Sequence, residues 1–76
     1  MGSKYAESYK TIGQTIRYYR KESGLTQEEL AEKTSISISY LTKIEAPNCE
    51  KSFSLEILFE ISKALDIPIS KLLERL

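Results

Sequence analysis

At 76 residues the chain has room for one domain and one modest core, burying a little over ~60% of the surface that the unfolded chain exposes. With 41% apolar and 29% charged residues, no apolar run near the roughly 20 residues that cross a bilayer and no signal-peptide layout, it reads as a globular domain with a cytoplasmic location. Histidine is absent and Cys49 is the single cysteine, which excludes Ser-His-Asp and Cys-His catalysis, an internal disulfide and a cysteine zinc site; no enzyme, metal or cofactor is expected, and a formal net charge of zero counts against nucleic-acid binding unless the charges are unevenly distributed.

Tyr9, Ile12, Ile16 and Tyr19 recur at helical spacing and Gly24 supplies a stop, which predicts a first helix over about 8–23, after a flexible segment 1–7; the domain is then 8–76. Thr26 opens the next helix, with Glu29 three positions on to complete a capping box, and the helix runs over about 27–34 with Leu30 and Ala31 inward. Ser35 and Ile36 connect it to a third helix capped by Ser37 and ending at Glu45, with Leu41 and Ile44 inward. Small Ala31 lets these two helices approach, and Ile36, Leu41 and Ile44 fill the space beneath. Residues 46–53 read as a polar loop in which Cys49 is an exposed or half-exposed thiol. Ser54 opens a fourth helix to about Leu65 with Leu55, Leu58, Ile61 and Leu65 on one stripe; Pro68 breaks it, and Ser70 caps a last helix carrying Leu72, Leu73 and Leu76. No strand alternation is present, so the class is all-α with five helices.

The charges are polarised along the chain. Residues 1–25 hold five cations against two anions, a net of +3, and residues 26–45 hold two cations against four anions, a net of −2. This is compatible with a basic face toward DNA and equally with a mixed solvated surface. Tyr9, Tyr18, Tyr19 and Tyr40 suit packing on a helical bundle better than base stacking, with Tyr18 beside the core stripe and pointing outward.

In Leu25–Ala31 (LTQEELA), Ile36–Glu45 (ISISYLTKIE) and Leu65–Pro68 (LDIP), the chain resembles the lambda-repressor-like, or Cro/C1-type (XRE), helix-turn-helix family, most of all short controller proteins and small phage repressors. The resemblance covers about residues 9–76 and implies a five-helix bundle whose third helix enters the major groove, in dimers reading half-sites about 34 Å apart. It places base contacts at Ser37, Ile38, Ser39, Thr42 and Lys43, and phosphate contacts at Gln27 and Tyr40. It also matches Arg20 to an arginine that pairs with the glutamate ending the third helix, here Glu45, which leaves Arg17 as the better phosphate candidate. Two positions depart from the family pattern: Ser35 stands where glycine is usual, so a positive φ there would carry a strain of order 1 kcal/mol, and Ala46-Pro47 follows Glu45. The third helix lacks Arg, Gln and Asn, so direct base reading is sparse.

Phe53, Ile57, Phe59, Ile69, Leu72, Leu73 and Leu76 exceed what one small core needs, and a homodimer through the last two helices, at Phe59, Ile69, Leu72 and Leu76, is expected to cover them. The expected function is a sequence-specific, double-stranded-DNA-binding transcriptional regulator, with no membrane or small-molecule partner. The alternative is a protein-interaction module, such as an antitoxin or regulatory subunit, in which DNA binding is secondary.

Overall fold

In the computed structural model, which describes residues 4–49 and 52–76, the chain folds into α1 (Ala6–Glu22), α2 (Gln27–Lys33), α3 (Ile38–Glu45), α4 (Leu55–Leu65) and α5 (Ile69–Leu72). Helix α3 packs against both α1 and α2, α4 against α1 and α2, and α5 against α4 and α1, within a body of 32 × 24 × 20 Å. All described secondary structure is helical, so the all-α class and the five helices agree with the sequence reading. Of the segment expected to be flexible at 1–7, Ala6 and Glu7 belong to α1; residues 1–3 lie outside the described residues, as do residues 50 and 51 of the expected loop.

Local chemistry sets the boundaries. Thr26 and Glu29 form the complete capping box: Thr26 Oγ1 accepts from the Glu29 N–H at 3.1 Å and the Glu29 carboxylate accepts from the Thr26 N–H at 2.9 Å. Those bonds to the ionised form hold the exposed Glu29 carboxyl below its ordinary value. Ser37 and Ser54 likewise cap α3 and α4 by accepting from the Tyr40 and Ile57 N–H groups. Helix α1 ends in a Schellman closure: the Leu25 N–H bonds the Arg20 carbonyl, the Gly24 N–H bonds the Lys21 carbonyl, and Gly24 adopts φ +74° without steric penalty.

Helix α4 ends at Leu65, where the sequence places it, but by the same device rather than by Pro68. Asp66 takes the left-handed conformation (φ 56°), its N–H bonds the Lys63 carbonyl, and the Ile67 N–H reaches back to Ser62. Pro68 instead occupies the N-cap of α5, so Ser70 lies inside that helix and makes no side-chain cap, contrary to expectation.

The core joins Ile12 and Ile16 of α1, Leu30 of α2, Ile36, Leu41 and Ile44, then Phe53, Leu58, Ile61, Leu65 and Leu72. Three buried residues overturn sequence expectations. Phe53 is buried with its ring edge-on to Tyr9, centroids 5.0 Å apart; Cys49 is buried; and Leu72 is wholly inaccessible. The loop after α3 folds inward, its Cys49 N–H bonded to the Ala46 carbonyl, and α5 lies back on α1 and α4, so residues assigned by local pattern to the surface complete the single core. Tyr9, Tyr19 and Tyr40 are half-buried against that core, the packing role expected of them.

Candidate nucleic-acid interface

The turn between α2 and α3 needs no strained residue. Thr34 ends α2 in extended conformation, its N–H bonded to the Ala31 carbonyl, and its hydroxyl accepts from the Ile36 N–H at 3.2 Å. Asp66 is the non-glycine residue with positive φ among those described, so the strain anticipated at Ser35 does not arise: the Thr34 side chain closes the turn that a glycine would otherwise make.

Helix α3 is two-faced. Leu41 and Ile44 are buried, while Ile38, Ser39, Thr42 and Lys43 are exposed, as is the capping Ser37. The five residues expected to meet bases therefore share the outward side of one short helix. Of the expected phosphate contacts, Arg17 is exposed on α1, Gln27 is half-buried at the start of α2, and Tyr40 is half-buried against the core.

What holds this face is a hydrogen-bonded lock centred on Glu45, which is 3% exposed. Arg20 Nε donates to Glu45 Oε2 at 2.8 Å, Arg20 Nη2 donates to Oε1 at 2.8 Å, and Nη1 donates to the Leu25 carbonyl at 2.7 Å. The pairing implied by the family resemblance is thus present, bidentate and buried. Two glutamines complete it in ways the sequence reading missed. Gln27 Nε2 donates to Glu45 Oε1 at 3.2 Å while its Oε1 accepts from the Thr42 hydroxyl at 3.0 Å; Gln14 Nε2 donates to the Glu45 carbonyl oxygen at 2.8 Å. The Thr42 hydroxyl has one proton and two acceptors in reach, Gln27 Oε1 and the Ile38 carbonyl at 2.8 Å, so in the free protein that proton is engaged within the fold while the oxygen keeps acceptor capacity. Beside Gln14, Gly13 faces the Ile44 carbonyl so closely that a Cβ would run into it. No local signal marks Gln14 or Gly13, because their partners are 31 residues away in sequence.

Away from this face, the chain end is tied to α1 twice: the Tyr19 hydroxyl donates to the Glu74 carboxylate, and the Arg75 guanidinium lies 4.8 Å from the centre of the Tyr18 ring. The carboxylate beside Tyr19 raises its pKa above 10.0. Of the residues assigned to a dimer interface, Phe59 is 52% and Leu76 63% exposed, and Ile69 is half-buried. Leu72, fully inside the core, is removed from that surface. Among the described residues no group of metal-ligating side chains occurs, and no helix is long and apolar enough to cross a membrane.

The helix-turn-helix family profile matches residues 16–72. Over 63 residues the chain is 43% identical to the HTH-type transcriptional regulator SinR of Bacillus subtilis, an alignment covering 83% of this chain and 56% of SinR, so the chain spans about half the length of the curated relatives it matches. Its fold superposes on the restriction-modification controller protein C.AhdI of Aeromonas hydrophila with a TM-score of 0.79 at 30% identity, covering 87% of this chain and 97% of that one. It also superposes on the biofilm master regulator SinR in complex with DNA, with a TM-score of 0.74 at 44% identity, covering 82% and 97%. With the profile spanning most of the chain and these relatives sharing both sequence and fold, the protein belongs to the helix-turn-helix family, of the lambda-repressor-like Cro/C1 type.

Proposed function

We propose that this chain is the DNA-reading unit of a non-enzymatic transcriptional regulator acting in the cytoplasm, with α3 entering the major groove and two copies reading two half-sites about 34 Å apart. One observation carries the reading: α3 presents Ser37, Ile38, Ser39, Thr42 and Lys43 outward while its inner face and its last residue are locked to α1 and α2. A rigid helix with a free polar face is what major-groove recognition requires. In this arrangement Lys43 reaches toward guanine, Ile38 toward a thymine methyl, and the hydroxyls of Ser37 and Ser39 toward base edges or phosphate. Thr42, whose hydroxyl proton is taken up by Gln27 or the Ile38 carbonyl, meets a base as an acceptor or through its methyl group.

Arg17, Gln27 and Tyr40 are assigned to the DNA backbone, where they fix register without carrying sequence information. Self-association is assigned to the exposed apolar groups Phe59 and Leu76 with half-buried Ile69, and the second copy doubles the phosphate contacts of a chain with no net charge. SinR, a transcriptional regulator whose structure with DNA is known, supports the reading.

The test is selection of bound duplexes from a random pool, followed by titration at several salt concentrations. Saturable binding to a selected duplex with two half-sites about one helical turn apart is expected. Weak, unsaturable association with every duplex would refute the reading and favour a protein-interaction role.

A further inference from the structure

We infer that Gln14 is a positioning residue for sequence reading: from α1 it holds the C-terminal end of α3 and so sets the angle at which Lys43 is presented to DNA. The inference rests on the DNA-reading function proposed above.

Helix α3 has eight residues, and the carbonyls of its last turn have no partner within the helix. The Lys43 carbonyl accepts from the Ala46 N–H, and the Glu45 carbonyl accepts from Gln14 Nε2 at 2.8 Å. The second bond differs in kind from the other ties between α1 and α3. Leu41 and Ile44 pack on the core without directional preference, and Arg20 grips Glu45 through a side chain with rotatable bonds. Gln14 grips the main chain, and a main-chain bond fixes the helix axis itself.

Gly13 makes that grip possible, since only a residue without Cβ lets α1 lie against the Ile44 carbonyl. At its other end, α3 is held by the Ser37 cap and by the Thr34 bond to Ile36. The helix is therefore pinned at both termini by different elements. Arg20 and Gln27 still hold the Glu45 side chain when the Gln14 bond is lost, but the main chain at that end is then free to shift by a small angle about the N-terminus, and Lys43, six residues or about 9 Å along the axis from Ser37, moves farthest. Discrimination should fail at the base pairs under Lys43 before those under Ser37 and Ser39.

The experiment compares the wild type with Gln14→Met, which keeps the length and apolar stem but lacks the donor, and Gln14→Lys, which restores one. Fluorescence anisotropy reads binding to the duplex selected by the wild type, to each of its single base-pair variants, and to an unrelated duplex of equal length, well below the melting midpoint of all three proteins. Loss of one hydrogen bond's worth of positioning in Gln14→Met should lower affinity for the selected duplex about three- to tenfold while leaving the unrelated duplex unchanged. Base-pair preferences should flatten where Lys43→Ala also flattens them. Gln14→Lys should restore the ratio of selected to unrelated binding, whatever its added charge does to both. An equal loss on all duplexes would make Gln14 a backbone contact, and a lower melting temperature with an unchanged ratio would make it merely structural; either overturns the inference. A wild type that selects no duplex would overturn the DNA-reading function itself, and the positioning role with it.

Discussion

Replacing Glu45 with Ala should remove a large part of the stability of this domain. In the native fold its carboxylate accepts from Arg20 Nε and Nη2 and from Gln27 Nε2, at 2.8 to 3.2 Å, and its side chain is 1% exposed against 9% for Arg20. After truncation the guanidinium stays buried with the Leu25 carbonyl as its remaining acceptor, so the positive charge loses its counter-charge without regaining water. Breaking a buried pair from one side typically costs ~3–5 kcal/mol. A domain of this length has on the order of 4–11 kcal/mol of total stability, so the loss approaches half of it. At roughly 4–8 °C per kcal/mol for small domains, the melting temperature should fall by about 12–40 °C. Circular dichroism at 222 nm during heating, with urea titration to obtain the free energy, reads this directly. The double change Arg20→Met with Glu45→Met should recover most of the loss, because it removes both charges together. If Glu45→Ala melts within a few degrees of the wild type, the pair does not hold the fold and the lock is not what orients α3.

Gly13→Ala should destabilise by ~1–3 kcal/mol in urea, although alanine is the better helix former, because the new methyl meets backbone rather than a side chain that can turn away; a stabilised variant would show that α1 and α3 are not in contact there. Arg17→Ala should weaken binding to all duplexes and lower the salt slope by about one, whereas Ser39→Ala and Lys43→Ala should cost ~1–3 kcal/mol on the selected duplex alone; a uniform loss for all three would place sequence reading outside α3. Phe59→Glu and Leu76→Glu should give folded monomers in sedimentation, while Leu72→Ala should cost ~2–5 kcal/mol of folding stability instead, and a fully folded Leu72→Glu would contradict its burial. The Glu29 carboxyl is depressed in the native state, so its contribution to stability is complete above its ordinary value of 4.5 and drains away as pH falls from there through the folded-state pKa. Glu29→Gln should therefore flatten the acid limb of a pH–stability curve, and an unchanged limb would mean that the capping box is open in solution.

The sequence by itself determined where the helices lie and which of them could read DNA. Thr26 with Glu29, Ser37 and Ser54 are caps whose partners stand three residues on, and the stripe through Ile12, Ile16, Leu41, Ile44, Leu58 and Ile61 follows the helical period, so both signals are complete within one or two turns. Even the long-range Arg20–Glu45 pair was legible, through family likeness rather than periodicity. Tertiary structure alone decided how a surplus of apolar residues was divided. Phe53, Cys49 and Leu72 went inside, leaving Phe59 and Leu76 on the surface, because burial depends on which elements come together and not on hydrophobicity. It likewise decided that Thr34 closes the turn in place of a strained Ser35, and that Asp66 rather than Pro68 ends α4. The grip of Gln14 and Gly13 on the end of α3, and of Gln27 on Thr42, belongs to this second class for the same reason: a glutamine has no periodicity to betray it, and its role exists only once a distant carbonyl or hydroxyl is brought within 3 Å.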